Sequence, residues 1–204
     1  MDDLLRVEGV RAAYGERAVL HGADLRVRRG EFVGLIGPNG CGKTTLFRVV
    51  TGVKRPLAGR VTLKDRPLGE IPWRERACIM ACLAQDIVLD LPFTVREVAQ
   101  MGRTARLGLL AGETTADRQA AEQALALADV AGLADRPITQ ISGGERRRAF
   151  LAMCLAQQPE LLLLDEPTSH LDLGHQLAAL DLIRSLNERE GLTVLAEPTA
   201  PDRK

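Results

Sequence analysis

Gly37-Pro38-Asn39-Gly40-Cys41-Gly42-Lys43-Thr44-Thr45 (GPNGCGKTT) fits the phosphate-binding pattern G-x-x-x-x-G-K-[ST], with Gly37, Gly42, Lys43 and Thr44 in the fixed places. A triphosphate needs a concave row of backbone N–H groups, and glycines let the chain turn tightly enough to aim them inward. Lys43 then reaches the β- and γ-phosphates as a point charge, and the Thr44 hydroxyl ligates Mg²⁺. The flanks agree with this reading. Phe32 to Ile36 is a short apolar run that reads as a buried strand, and Thr44 to Val50 reads as a helix whose positive N-terminal end faces the phosphates. A glycine-rich turn with no ligand does not require strand, loop and helix in that order.

The second half of the site lies far downstream. Leu161-Leu162-Leu163-Leu164-Asp165-Glu166 is an apolar run ending in two carboxylates. The leucines read as a buried strand, and open parallel sheets bind ligands at the C-terminal ends of such strands. Asp165 suits Mg²⁺, and Glu166 suits an attacking water.

Length and composition bound the answer. The 204 residues can bury a core as one domain with a subdomain inside it. Lys+Arg and Asp+Glu both number 27, so net charge gives no argument for nucleic acid or an anionic membrane. The cysteines, Cys41, Cys78, Cys82 and Cys154, form no C-x-x-C pair and read as small buried hydrophobes. Cys41 stands apart because it lies inside the phosphate loop, where alkylation would block a nucleotide. No apolar run approaches the length of a membrane span.

Taken in order, Leu4 to Ala12 and Ala18 to Val27 alternate apolar and polar residues as half-buried antiparallel strands do. Tyr14 between them reads either as a turn aromatic or as a stacking platform for adenine. Arg60 to Leu63 and Ile79 to Ala84 are predicted strands, and Ile71 to Cys78 a helix. From Thr94 to about Ala156 the chain turns helical, beginning with a Thr94/Glu97 capping box. Arg103 to Thr115 reads as a glycine-rich linker. Ala121, Leu125 and Ala128 share one face of a helix ending near Gly132. Ile141-Ser142-Gly143-Gly144-Glu145 has capping-box spacing, so it is a helix start. Its two glycines would also let an anion approach the bare N–H groups. Arg146, Arg147 and Arg148 read as a solvated face. Leu173, Leu177, Leu180 and Ile183 share a helix face, and Leu192 to Ala196 is a further strand.

On these residues the sequence resembles the ATP-binding subunits of ABC transporters over nearly its whole length. GPNGCGKTT looks like Walker A, ISGGE like the family signature with Glu145 in place of the commoner glutamine, and LLLLDEP like Walker B. Gln85 sits where the Q-loop glutamine would be, Ser169-His170-Leu171-Asp172 looks like the D-loop, and Tyr14 like the adenine-stacking aromatic. The resemblance implies an α/β fold: a P-loop NTPase (RecA-like) core with N-terminal antiparallel strands and an inserted helical subdomain. The core is expected at about 1–90 and 157–204, and the subdomain at about 91–156. It implies ATP and Mg²⁺ as cofactors. Tyr14, residues Gly37 to Thr45, Ser142, Gly143, Gly144, Glu145 and Asp172 would bind nucleotide. Thr44, Gln85 and Asp165 would serve the metal, with Glu166 and Gln85 catalytic. TSHLDLGHQ (Thr168 to Gln176), MGR (Met101 to Arg103) and ADRP before the signature are most similar to the importer branch for iron–siderophore chelates, haem or cobalamin.

The same resemblance implies a head-to-tail homodimer with nucleotide at the interface, and separate membrane-spanning permease subunits. A substrate-binding protein would act indirectly, nucleic acid would have no part, and the chain would sit peripherally on the cytoplasmic face of the cell membrane. A soluble ABC ATPase of translation or DNA repair is the competing expectation; neither a duplicated cassette nor sustained heptads support it. One stretch departs. The family runs its last strand into a histidine on the γ-phosphate, whereas here Thr193-Val194-Leu195-Ala196 continues as Glu197-Pro198-Thr199-Ala200-Pro201. Laid without gaps, the histidine position is Thr199, and the only histidines are His21, His170 and His175. With the sequence stopping at Lys204, the expectation is a truncated or frameshifted product, or a short natural variant. It would bind ATP, hydrolyse it slowly and leave one sheet edge uncovered.

Overall fold

The computed structural model describes residues 2–84, 87, 89, 91–107, 112–165 and 173–197, the side chains of 173–178 excepted. Alternation makes the first sheet. In β1 (Asp3–Tyr14) the apolar Leu5, Val7, Val10 and Ala12 are buried, while Arg6 and Glu8 are only half-buried and Arg11 is exposed. β1 pairs antiparallel with β2 (Arg17–Arg28) on one edge and with β4 (Ala58–Leu63) on the other. The short β5 (Arg66–Pro67) closes the order β2-β1-β4-β5.

The second sheet is parallel, in the order β3-β8-β7-β6: β3 (Phe32–Gly34), β8 (Thr193–Glu197), β7 (Leu161–Asp165) and β6 (Met80–Leu83). Strands covered on both faces read as continuous apolar runs, and Leu161 to Leu164 are each 0% exposed. Successive side chains point to opposite faces. Leu161 and Leu163 therefore join a core with α1 (Lys43–Val50) and the antiparallel sheet. Leu162 and Leu164 join a second core with α3 (Val95–Met101), α4 (Thr115–Leu127), α5 (Gly143–Ala156) and α6 (Leu173–Glu190). The chain thus places α3 to α5 between β6 and β7, after α2 (Trp73–Ile79).

Each of α3, α4 and α5 begins with a complete capping box: Thr94 with Glu97, Thr114 with Asp117, and Ser142 with Glu145. These pairs satisfy helix-start amides that would otherwise lack partners. Ala121, Leu125 and Ala128 lie on the buried face, as their spacing predicts.

Several local expectations are corrected. The strand before the phosphate loop is three residues long and not buried: Phe32 is 40% exposed and Ile36, beyond its end, 90%. Among the described residues β3 pairs only with β8, so it forms a sheet edge. α4 stops at Leu127 rather than near Gly132, because Asp129 takes a left-handed conformation (φ 54°) and turns the chain. Of the cysteines only Cys154 is buried, while Cys41 and Cys82 are exposed. Arg146, Arg147 and Arg148 are half-buried, and Arg147 Nη2 donates to the Asp165 carbonyl at 3.3 Å. The expected linker opens on a buried residue: Arg103 is 7% exposed, with Nε donating to Asp117 Oδ1 at 2.9 Å and Nη1 to the Ala156 carbonyl at 2.7 Å.

Candidate functional site

α1 starts at Lys43 with Gly42 as its N-cap, held in the left-handed region at φ 103°. A side chain at Gly42 would be strained there and would also meet Leu20 Cδ2 at 2.8 Å, so the position needs glycine on two counts. The loop folds tightly enough that a Cβ on Gly37 would lie 2.9 Å from Cys41 Sγ. Inside this turn Lys43 Nζ donates to the carbonyls of Gly37 at 2.9 Å and Pro38 at 3.2 Å. The lysine is therefore parked at the loop's own start, over the end of α1 that favours anions. A cavity of about 340 Å³ opens here, lined by Asn39, Gly40, Gly42, Lys43, Thr44 and Thr45 among others. Thr44 is exposed and Thr45 buried.

Tyr14 ends β1 and is 44% exposed, as a stacking surface must be. Arg48, one helical turn along α1, donates from Nη1 to the Tyr14 hydroxyl at 3.0 Å. That hydrogen bond, first among the causes, holds the phenol below its ordinary range. Lys54 Nζ stands 4.1 Å from the ring centroid, a cation–π contact on the aromatic face. Neither Arg48 nor Lys54 was foreseen; their only sequence signal is that both belong to the helix and turn that follow the phosphate loop.

Asp165 ends β7, half-buried, in register with Glu197 at the end of β8. Glu197 is the residue the sequence reading missed. It is 3% exposed, it lines the same cavity, and its Oε1 lies 3.5 Å from Lys43 Nζ. Its signal was available, since it is an acid closing an apolar parallel strand, as Asp165 is. Among the described residues no three His, Cys, Asp or Glu side chains converge into a preformed metal site. A hydroxyl at Thr44 and a carboxylate at Asp165 nevertheless fit Mg²⁺, which takes few protein oxygens and completes its shell with phosphates and water.

Ser142, Gly143, Gly144 and Glu145 open α5. The Ser142 hydroxyl accepts from the Glu145 amide at 3.3 Å, and Glu145 Oε2 accepts from the Ser142 amide at 2.8 Å. Hydrogen bonding from the Ser142 side chain first, and from its amide second, holds the Glu145 carboxyl below its usual range. None of these residues lines the phosphate cavity of their own chain. Gln85, Glu166 and Asp172 lie outside the described residues.

A protein-family model described as ABC transporter matches residues 20–169. The chain belongs to this ABC transporter family. The cassette is 41% identical over 198 residues to the hemin import ATP-binding protein HmuV of Gloeobacter violaceus, covering 94% of this chain and 71% of the relative. It is similar to a solved metal-chelate type ABC transporter in an inward-facing conformation, with a TM-score of 0.85, 29% identity, and coverage of 99% of this chain and 75% of that one. It also resembles the ATP-binding cassette MJ0796 in a dimeric, post-hydrolysis state bound to ADP and Pi, with a TM-score of 0.81, 25% identity, and coverage of 96% and 88%. The cassette spans 44% of the length of one curated relative and 70–71% of several others. Its fold is that of a P-loop NTPase, with mixed antiparallel and parallel sheets. No described helix is long and apolar enough to cross a membrane.

Proposed function

We propose that this chain is the ATP-binding and ATP-hydrolysing subunit of an ABC importer for metal chelates such as iron–siderophore, haem or cobalamin. The observation that carries the nucleotide reading is Lys43, turned back onto the Gly37 and Pro38 carbonyls at the mouth of a glycine-built cavity. There it faces the place where β- and γ-phosphates would lie. The cargo class is supported by the hemin import relative and the metal-chelate transporter, together with the TSHLDLGHQ wording.

In this reading Mg-ATP supplies the phosphoanhydride bond and the divalent charge. Backbone N–H groups within Gly37 to Thr45, of which Pro38 has none, and the Lys43 ammonium would bind the phosphates, and Thr44, Asp165 and Gln85 would hold the metal. Glu166 would orient and deprotonate the attacking water, with Gln85 assisting. Tyr14 stacks on the adenine with Arg48 fixing its hydroxyl. Ser142, Gly143, Gly144 and Glu145 present the N-terminus of α5 to the nucleotide of a second copy, with Asp172 at the same interface. The dimeric MJ0796 structure supports this arrangement. The core comprises about 1–90 and 157–204, and the helices of about 91–156 form the subdomain that faces separate permease chains at the cytoplasmic side of the membrane.

Calorimetric titration with Mg-ATP tests the reading. The chain takes up one nucleotide per site, and Lys43→Ala abolishes the heat. Equal binding by the two proteins overturns it.

A further inference from the structure

The contact between Lys43 and Glu197 has a consequence for nucleotide binding itself. A cavity made of backbone amides, a helix N-terminus and an ammonium is built to take an anion. In this chain its wall already holds one: Glu197, 3% exposed, 3.5 Å from Lys43 Nζ and lining the cavity with Thr44 and Asn39. The carboxylate cannot easily swing clear. It sits on β8, whose neighbours Val194, Leu195 and Ala196 are buried in the two cores and paired with β7 and β3. Asp165 ends the neighbouring strand in register with it, so a second acid lies at the same end of the sheet. Lys43, by contrast, has other anchors in the carbonyls of Gly37 and Pro38.

We propose that Glu197 is an internal competitor for the nucleotide: it holds Lys43 while the site is empty, and a phosphate oxygen must take over that ammonium for binding to occur. The inference rests on the nucleotide reading above. A fixed negative charge in the cavity wall also repels phosphates, so removing it favours the charged ligand. Glu197 thereby sets the affinity of the loop, and makes binding lean on Mg²⁺, whose charge offsets the paired acids.

The test compares wild type, Glu197→Gln and Glu197→Ala by titration with the fluorescent probe mant-ATP, in excess Mg²⁺ and in EDTA, with melting curves alongside. Both variants should bind Mg-mant-ATP about tenfold or more tightly than wild type and lose less affinity in EDTA. Their empty forms should melt lower while the nucleotide-induced rise in Tm grows. Circular dichroism reports whether each variant is folded, and the glutamine variant preserves shape if alanine does not. Equal binding by wild type and variants overturns this inference alone. Weaker binding by the variants only when Mg²⁺ is present also overturns it, and makes Glu197 a metal ligand. No binding by any of the three overturns the nucleotide reading as well.

Discussion

Gly102 gives the most direct test of how the helical part is held together. It follows α3 at φ −60° and ψ −23°, an ordinary right-handed conformation that alanine adopts without backbone strain. The obstacle is space. A Cβ there would lie 2.0 Å from the Met153 carbonyl oxygen, 3.0 Å from its carbon and 3.2 Å from Ala156 Cβ. Most of that is the backbone of α5, which has no rotamer to yield, so restoring a separation of ~3.5 Å moves the turn by more than ~1 Å. The move would also stretch Arg103, the next residue, away from Asp117 and the Ala156 carbonyl. Overpacking of this kind costs ~1–3 kcal/mol, offset by ~0.4–1 kcal/mol from the less flexible unfolded chain. With the clash against main chain, Gly102→Ala should lose about 2 kcal/mol net, or ~4–8 °C in Tm for a chain of this size. Gly143→Ala is the control, because nothing lies within 4 Å of its added Cβ at the first residue of α5. It should melt at or slightly above wild type. Thermal and urea unfolding followed by circular dichroism read both. A Gly102→Ala protein as stable as wild type would refute the close-packing argument, as would equal shifts in both variants.

Two further outcomes follow from individual groups. Asp117 is held down to about 2 by the Thr114 hydroxyl first, then the Thr114 amide and the Arg103 guanidinium. Its folded value lies below the unfolded carboxylate range of ~3.9. The stability it contributes is therefore fully present above about pH 4 and is lost as pH falls through 2. Asp117→Asn should flatten stability-versus-pH over that window, and an unchanged acid limb would count against the ion pair. Thiol labelling with a maleimide at neutral pH should mark Cys41 first and be slowed by Mg-ATP. Cys154 is buried, with its thiol pushed up to about 12 by burial. It should react only on unfolding. Cys82 is exposed, but the protein around it and then Asp165 push its thiol up to about 11, so it should lag Cys41. Mass mapping that finds Cys154 labelled in the folded chain would contradict this order.

What could be read ahead of the structure was whatever depends on near neighbours in the chain. The alternation of β1 and β2, the glycine spacing before Lys43, the Thr94 and Ser142 capping boxes and the leucine run of β7 are local patterns, and local physics decides them. What escaped was pairing between distant residues. Lys43 meets Glu197, Arg103 meets Asp117 and Ala156, and Tyr14 meets Lys54. Nothing in the spacing of those residues announces the contact. Arg103 shows the cost of that blindness. An arginine beside glycine looks like linker, yet burial turns it into the bolt between α4 and the end of α5. The edge position of β3 escaped for a related reason, because an apolar run does not say how many neighbours its strand will have.

The alternation of the four leucines in β7 reaches beyond packing. The strand is a party wall, with Leu161 and Leu163 belonging to one tenant and Leu162 and Leu164 to the other. A force applied to the helices on one side therefore arrives at the same five-residue segment that carries Asp165 at its tip. Close-packed interiors pass on displacement rather than absorb it. A push on the helices can thus reach that acid with no loop or hinge in between.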